Sequence, residues 1–248
     1  MSMNDHRLHV ITGGPENGPP VVLLHHGLGS VQAWKENIPA LAAAGYRVIA
    51  YDRWGYGKSG ARPRLSVPDF TPDLEDLGLL LSEAGLERVS LVGHSDGGTI
   101  ALYFAAANPL RIACLVTVAA HVYVEARMLP GIAGIHQAYQ DDPRFREGMQ
   151  RVHGEKAEAV FANWYNAWKS LDDPDWDIRP LLANIACPVL VVQGMQDEHA
   201  SPRHARDIAA AIPGAELWLA PEAGHMLPQD CAQEFNRQVV HFLDRCLR

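Results

Sequence analysis

Six short runs of nearly continuous apolar residues, at 21–24, 47–51, 89–92, 112–118, 189–193 and 217–220, recur along the chain, bounded by Gly, Pro or charged residues. A strand that is apolar at every position, rather than at alternate ones, has both faces buried, as in a parallel sheet covered by helices. Helical spacing fills the intervals. Trp34, Ile38, Leu41 and Ala42 predict a helix over 34–44, and Leu74, Leu77, Leu81 and Ala84 predict one over 74–86. The same period covers 99–107, 205–212 and Ala232–Leu247. Strands alternating with helices build βαβ units, so the fold class is α/β, with a mostly parallel sheet and helices on both faces. Residues 8–12 add an antiparallel edge strand.

The alternation lapses between positions 121 and 179, where no buried-strand run occurs and the pattern turns helical and aromatic. Tyr123, Tyr139, Phe145, Phe161, Trp164, Tyr165, Trp168 and Trp176 all fall there. The expected organisation is a core of residues 1–120 and 180–248, with residues 121–179 inserted as a helical cap over one end of the sheet. A length of 248 residues suits one large domain carrying an insertion.

Composition narrows the function classes. With 48% hydrophobic against 20% charged residues, the chain has the makings of a sizeable core and is not disordered. Acids outnumber bases 29 to 21, and the net charge of −8 argues against a nucleic-acid or anionic-membrane partner. No stretch reaches the ~18 apolar residues of a membrane span. The first fourteen residues, with Asp5, His6, Arg7 and His9, lack the apolar run of a signal peptide. Cys114, Cys187, Cys231 and Cys246 stand apart without a CxxC pair, which points to neither a zinc site nor a disulfide framework. A reduced, cytoplasmic setting is the expectation. The acidic run of Asp172, Asp173, Asp175 and Asp177, broken by Pro174, reads as a solvated loop rather than a metal site.

Two glycine motifs imitate nucleotide sites. The stretch from Gly55 to Gly60 matches GxGxxG after a strand, but Ala61, Arg62, Pro63 and Arg64 follow, where a helix N-terminus would have to hold the pyrophosphate. Gly57, Lys58 and Ser59 resemble the end of a P-loop, yet Asp52 stands where its first glycine belongs. A tight turn accounts for both. By contrast, Gly93-His94-Ser95-Asp96-Gly97 joins a buried strand directly to a helix, the context that the GxSxG elbow requires. There a serine hydroxyl is held at the strand's carboxyl end, and the helix start offers N–H groups to a developing anion.

Serine needs a base, and the base needs an acid to orient it. In this topology they follow later strands in the order acid, then His. Asp197 comes after the strand at 189–193, and His225 after the strand at 217–220. Glu125, beyond the strand at 112–118, is the reserve acid. The pair His199 and His204 is not spaced for a metal site on one helical face. An oxyanion hole takes the N–H of Asp96 and a second N–H from the loop His25-His26-Gly27-Leu28-Gly29, right after the strand at 21–24. Trp164 and Trp168, four residues apart, share a helix face and are candidate walls of a substrate pocket. Asp96 is an unusual neighbour for a nucleophile. It either starts the helix and points away, or faces the pocket and meets a cationic group such as a free α-amine.

The His26-Gly27 loop, the Asp52–Ser59 turn, the Gly93–Gly97 elbow, Cys187-Pro188 and Gly224-His225 together make the chain resemble the α/β-hydrolase-fold serine hydrolases over nearly its whole length. Ser95-Asp96-Gly97-Gly98 and the stretch around His121-Val122-Tyr123-Val124 make it similar to the biphenyl-hydrolase-like group. The resemblance implies a Ser95–His225–Asp197 mechanism, a helical cap, no cofactor, and recognition of a substrate α-amine by Asp96. Its His-Gly-x order makes Leu28 the second oxyanion donor, with Gly27 the alternative. Glu198 departs from the family's usual proline after the acid, and His26 from the relative's loop. The expected activity is hydrolysis of small carboxylic esters through an acyl-enzyme. A C–C bond hydrolase, a lactonase, or a slowly turning ligand receptor on the same fold are the competing readings. Dehalogenases and epoxide hydrolases carry an aspartate where Ser95 stands.

Overall fold

The computed structural model describes residues 2–247 except 4, 5, 172 and 174, so Asp172 and Pro174 of the acidic run lie outside the described residues. A small antiparallel pair, β1 (Ser2–Met3) and β2 (His6–Arg7), precedes the main sheet. That sheet comprises β3 (His9–Gly13), β4 (Pro20–Leu24), β5 (Arg47–Asp52), β6 (Val89–His94), β7 (Ile112–Val118), β8 (Val189–Gly194) and β9 (Glu216–Ala220). Its order is β3-β5-β4-β6-β7-β8-β9. β3 runs antiparallel along β5, and every other pairing is parallel.

The helices are α1 (Asn37–Ala43), α2 (Thr71–Glu83), α3 (Asp96–Ala107), α4 (Met128–Asp141), α5 (Pro143–His153), α6 (Ala157–Lys169), α7 (Arg179–Leu182), α8 (Pro202–Ala211), α9 (Leu227–Asp230) and α10 (Ala232–Leu247). Because side chains alternate along a strand, each buried strand feeds two cores. Val22, Leu24, Ile49, Leu91 and Val191 pack with Leu77, Leu81, Ile100 and Ile208 of α2, α3 and α8. Val21, Leu23, Val48, Val92 and Val192 pack with Leu41, Phe235, Val239 and Phe242 of α1 and α10. Among the described residues, no helix is long and apolar enough to cross a membrane.

Two helix boundaries differ from the sequence expectation. The helix expected over 34–44 is broken into a 3-10 turn, Val31–Trp34, and α1. Pro39 has no N–H and fits only a helix's first turn, so α1 begins at Asn37. The Ser30 side chain closes the earlier turn by accepting the Gln32 N–H. α2 starts three residues earlier than expected, with Pro72 in its first turn, and stops before Gly85, whose φ is +66°.

Between β7 and α7 the chain leaves the sheet and forms α4, α5 and α6. These helices share a small core in which Tyr139 and Phe161 stack at 3.7 Å, with Met149 and Val160 packed alongside. The base of this excursion is tied shut. Tyr123 bridges Asp177 in antiparallel fashion, and the Ile178 N–H donates to the Val122 carbonyl at 2.8 Å. Asp177 is therefore more than a solvated acid: the Arg179 guanidinium grips its carboxylate and covers the Tyr123 ring at 4.5 Å.

The strand order reverses direction at β4, since β5 lies on one side of it and β6 on the other. A crevice opens at such a switch point, outside the strands' carboxyl ends. The loops after β4 and β6 meet there.

Candidate active site

Ser95 sits between β6 and α3 with φ 54° and ψ −120°, a left-handed conformation that a non-glycine residue adopts only when its surroundings enforce it. Its N–H donates to the Val118 carbonyl on β7, and its carbonyl accepts from Gly98 and Thr99 in the first turn of α3. The flanking glycines are sterically required. A Cβ on Gly93 would lie 2.2 Å from the Gly97 carbonyl oxygen, and one on Gly97 would lie 2.3 Å from that of Leu24. The serine is thus held at the bottom of the crevice, where it lines a cavity of about 680 Å³ together with His225.

His225 and Asp197 are joined directly: the imidazole Nδ1–H donates to Asp197 Oδ2 at 2.9 Å. Asp197 is buried, and its carboxylate accepts three further bonds, from the Gln193 amide at 2.7 Å and from the His199 and Ala200 N–H groups at 2.7 and 2.8 Å. Burial alone would push its pKa up. The His225 bond and the two backbone donors outweigh this and hold it well below the usual carboxylate range. An ionised Asp197 fixes the proton on Nδ1 and leaves the Nε2 lone pair of His225 free to act as a base. Among the described residues the Ser95 hydroxyl closes no hydrogen bond, so the serine and the imidazole share the cavity wall without being bonded. Glu125 is engaged elsewhere, by the Ser201 hydroxyl at 2.5 Å, and it lies 3.3 Å from His204 Nε2 without a hydrogen bond between them. His204 stacks on Tyr123, and His199 rests edge-on against His225 at 4.9 Å.

The loop of residues 25–29 closes the opposite side. Among the described residues neither the Leu28 nor the Asp96 N–H is bonded to an acceptor within the chain. Two buried histidines hold this loop. His25 accepts the Arg53 N–H and donates to the His26 carbonyl, while His153 of α5 accepts the Gly57 N–H and donates to the Leu28 carbonyl at 3.1 Å. The glycine turn that imitates a nucleotide site is filled by the chain's own anion. Asp52 accepts the Lys58 and Val31 N–H groups at 2.7 Å each, and a Cβ on Gly57 would strike its carboxylate.

Both α6 tryptophans reach the cavity. Trp164 lies against Gly27, where a Cβ would come within 2.3 Å of its indole nitrogen, and Trp168 packs on Phe70 and Trp176. Met128, Ile132, Ile135, Phe145 and Met149 continue the apolar wall on α4 and α5. Asp96 faces this cavity and does not point away from it, as a plain helix-start residue would. Yet it already has a cation: Arg53 Nη2 lies 3.4 Å from its Oδ2, and both side chains are almost fully buried. Burial pushes the Asp96 carboxyl up, and the guanidinium opposes that shift.

A family model for the α/β-hydrolase fold matches residues 19–177. The human serine hydrolase BPHL is 32% identical over 248 residues, covering 98% of this chain and 85% of that protein. The chain belongs to the α/β-hydrolase family. A 2-hydroxy-6-oxononadienedioate/2-hydroxy-6-oxononatrienedioate hydrolase of Paraburkholderia xenovorans is 29% identical, across 96% of this hydrolase and 90% of its own length. Among solved structures, the enol-lactonase of Burkholderia xenovorans superposes with a TM-score of 0.77 at 24% identity, covering 97% of this chain and 98% of that one, a likeness of fold.

Sequence reasoning missed several residues that shape the hydrolase's site. His94, inside the elbow, donates from Nε2 to the His225 carbonyl at 2.9 Å across 131 positions of sequence, and burial holds its pKa down at about 3. Glu198, the departure from the family's usual proline, accepts the His225 N–H at 3.3 Å. His225 is therefore held through its ring, its N–H and its carbonyl. Arg53, just after β5, and His153, the last residue of α5, were equally hidden, because a lone Arg or His at the end of an element carries no periodic signal. The adjacency of His94 to Ser95 was one available signal, and the replacement of the family's usual proline by Glu198 was another, although neither showed its contact with His225.

Proposed function

We propose that this hydrolase cleaves small carboxylic esters through an acyl-enzyme on Ser95, with His225 as base and Asp197 as its orienting acid. The observation that carries the reading is the buried Asp197 bonded to Nδ1 of His225, an imidazole that lines the same cavity as Ser95. In the first step Ser95 Oγ attacks the ester carbonyl carbon while its proton passes to His225 Nε2. The carbonyl oxygen becomes an oxyanion facing the Asp96 and Leu28 N–H groups. Collapse breaks the ester C–O bond, and the departing alkoxide takes the proton from His225. Water, deprotonated by the same nitrogen, then attacks the acyl carbon and releases the acid and Ser95. The helices over 121–179 act as a cap whose aromatic wall excludes water and sorts acyl groups.

An ester panel measured on wild type and Ser95→Ala tests the reading, and retained turnover in the variant overturns it. The 29%-identical hydrolase named for two oxo-diacids keeps C–C bond cleavage as the second reading. A matched ketone and ester separate the two activities. The pairing of Asp96 with Arg53 weighs for neutral esters over the α-amino-acid esters that the family resemblance implies.

Two expectations attach to the supporting side chains. Because Trp164 and Trp168 are buried, Ala at either would cost about 3–5 kcal/mol of packing and blur the result. Trp164→Phe or Trp168→Phe should instead raise kcat/KM for bulky acyl groups relative to acetate by about tenfold, within the 1–3 kcal/mol range of pocket discrimination. An equal change on every ester would mean plain packing. His94→Phe, which removes the donor to the His225 loop, should lower kcat about tenfold with KM little changed, and His94→Gln should recover most of it. Loss in step with melting temperature, without rescue by Gln, would reduce His94 to a core residue.

A further inference from the structure

Behind the cavity wall runs a buried line of alternating charge. Arg62 Nη1 donates to Asp73 Oδ2 at 2.7 Å, Arg53 Nη1 donates to Asp73 Oδ1 at 3.2 Å, and Arg53 Nη2 reaches Asp96 Oδ2 at 3.4 Å. All four side chains are at most 4% exposed. Each oxygen of Asp73 is taken by a different guanidinium, so Arg53 retains charge for Asp96, and the line as a whole is neutral. Arg53 is also fixed in place, 4.7 Å over the Tyr56 ring and within 3.5 Å of the His26 carbonyl. Only Asp96, at the end of the line, meets the cavity beside Ser95. The Trp168 indole N–H faces the same carboxylate without closing a hydrogen bond.

An unbalanced carboxylate at this position would do two things. It would oppose the oxyanion forming beside it, and it would draw an ammonium group into the acyl pocket. The guanidinium at 3.4 Å cancels both effects, because an incoming cation meets its repulsion along with the attraction of Asp96. Most of the remaining wall is apolar, from Met128 and Ile132 through Phe145 to Trp164, and the other charged side chains that line it, Arg144 and Glu198, are solvent-exposed.

Resting on the ester-hydrolase reading above, we propose that Arg53 is a specificity-determining residue: it holds Asp96 as a balanced anion, so that the pocket beside Ser95 selects uncharged acyl groups. The selectivity is a difference between substrates, set by a charge that never touches them. Removing one member of the pair exposes the other. Arg53→Met should favour cationic acyl groups, Asp96→Asn should favour anionic ones, and the double variant should be neutral again.

The test uses p-nitrophenyl esters of butyrate, 2-aminobutyrate and hemisuccinate, with each kcat/KM divided by that ester's uncatalysed hydrolysis rate. Wild type should turn over butyrate best. Arg53→Met should move the 2-aminobutyrate-to-butyrate ratio upward by about ten- to hundredfold. Asp96→Asn should move the hemisuccinate-to-butyrate ratio upward by a similar factor, and Arg53→Lys should stay near wild type. A purely structural role would lower all three esters together and leave the ratios where they were. A wild-type preference of about tenfold or more for the ammonium ester overturns the proposal, as do unchanged ratios in folded Arg53→Met. If circular dichroism finds Arg53→Met unfolded, the wild-type ratio and the Asp96→Asn arm decide. Ser95→Ala is run in parallel: activity surviving there refutes the ester-hydrolase reading itself, whatever the ratios are.

Discussion

Ser95→Ala, His225→Ala and Asp197→Ala should each reduce kcat on a neutral ester by about four to six orders of magnitude, and the double variants should be little worse than the worst single. The non-additivity follows from the mechanism. Without the serine there is no acyl-enzyme for the base to assist, and without the base the hydroxyl remains a poor nucleophile. Asp197→Asn keeps the shape but replaces the anion that fixes the proton on His225 Nδ1, and should cost about 10⁴-fold. Glu125→Gln should be nearly silent, since the Glu125 carboxylate accepts from Ser201 and, among the described residues, forms no hydrogen bond with His225. Stoichiometric labelling of Ser95 by a fluorophosphonate, abolished in His225→Ala, checks the same unit without a substrate. A silent Asp197→Asn beside a damaging Glu125→Gln would move the acid to Glu125, and an active Ser95→Ala would end the serine mechanism.

Gly97→Ala is the second large effect. The added methyl would sit 2.3 Å from the Leu24 carbonyl oxygen and 2.7 Å from that of His25, backbone atoms at and just beyond the end of strand β4. No side-chain rotation relieves such a contact, so either α3 tilts or the loop carrying Leu28 moves away from Ser95. We expect a loss of more than about 3 kcal/mol, of the size reserved for overpacked or strained backbone positions, together with at least a hundredfold loss of kcat. Melting temperature should fall by roughly 10 °C for a chain of this length. Gly134→Ala is the contrast: it lies within α4 and a Cβ there meets nothing within 4 Å, so it should gain about 0.5–1 kcal/mol from helix propensity. A Gly97→Ala protein with wild-type stability and labelling would contradict the packing described for the elbow.

The sheet was legible because burial on both faces leaves a local mark. Residues 112–118 and 189–193 are apolar at nearly every position, and their strands, β7 and β8, are each paired on both sides within the parallel array. The elbow was legible because its pattern is confined to five residues of chain, although only Gly93 is crowded from within it, by Gly97, which is itself crowded by Leu24 and His25. The order of Ser95, Asp197 and His225 could be read because each follows a recognisable strand. Less visible was the break between the Val31–Trp34 turn and α1, where Pro39 and the Ser30 bond override an otherwise helical spacing.

What the amino-acid order determined by itself is whatever neighbouring residues decide: strand and helix periods, the strained serine turn, and the place of Ser95, Asp197 and His225 after successive strands. What only the tertiary structure decided is which charges and donors meet. Arg53 and Asp96 are 43 positions apart, His94 and the His225 carbonyl 131 apart, and the Glu125 carboxylate turns to Ser201 over a separation of 76. Such pairs leave no periodic trace, because their partners are chosen by how strands stack and loops close rather than by spacing along the chain. Whether the acid beside Ser95 is an open anion or a balanced one was therefore undecided until β5 delivered Arg53 beneath it.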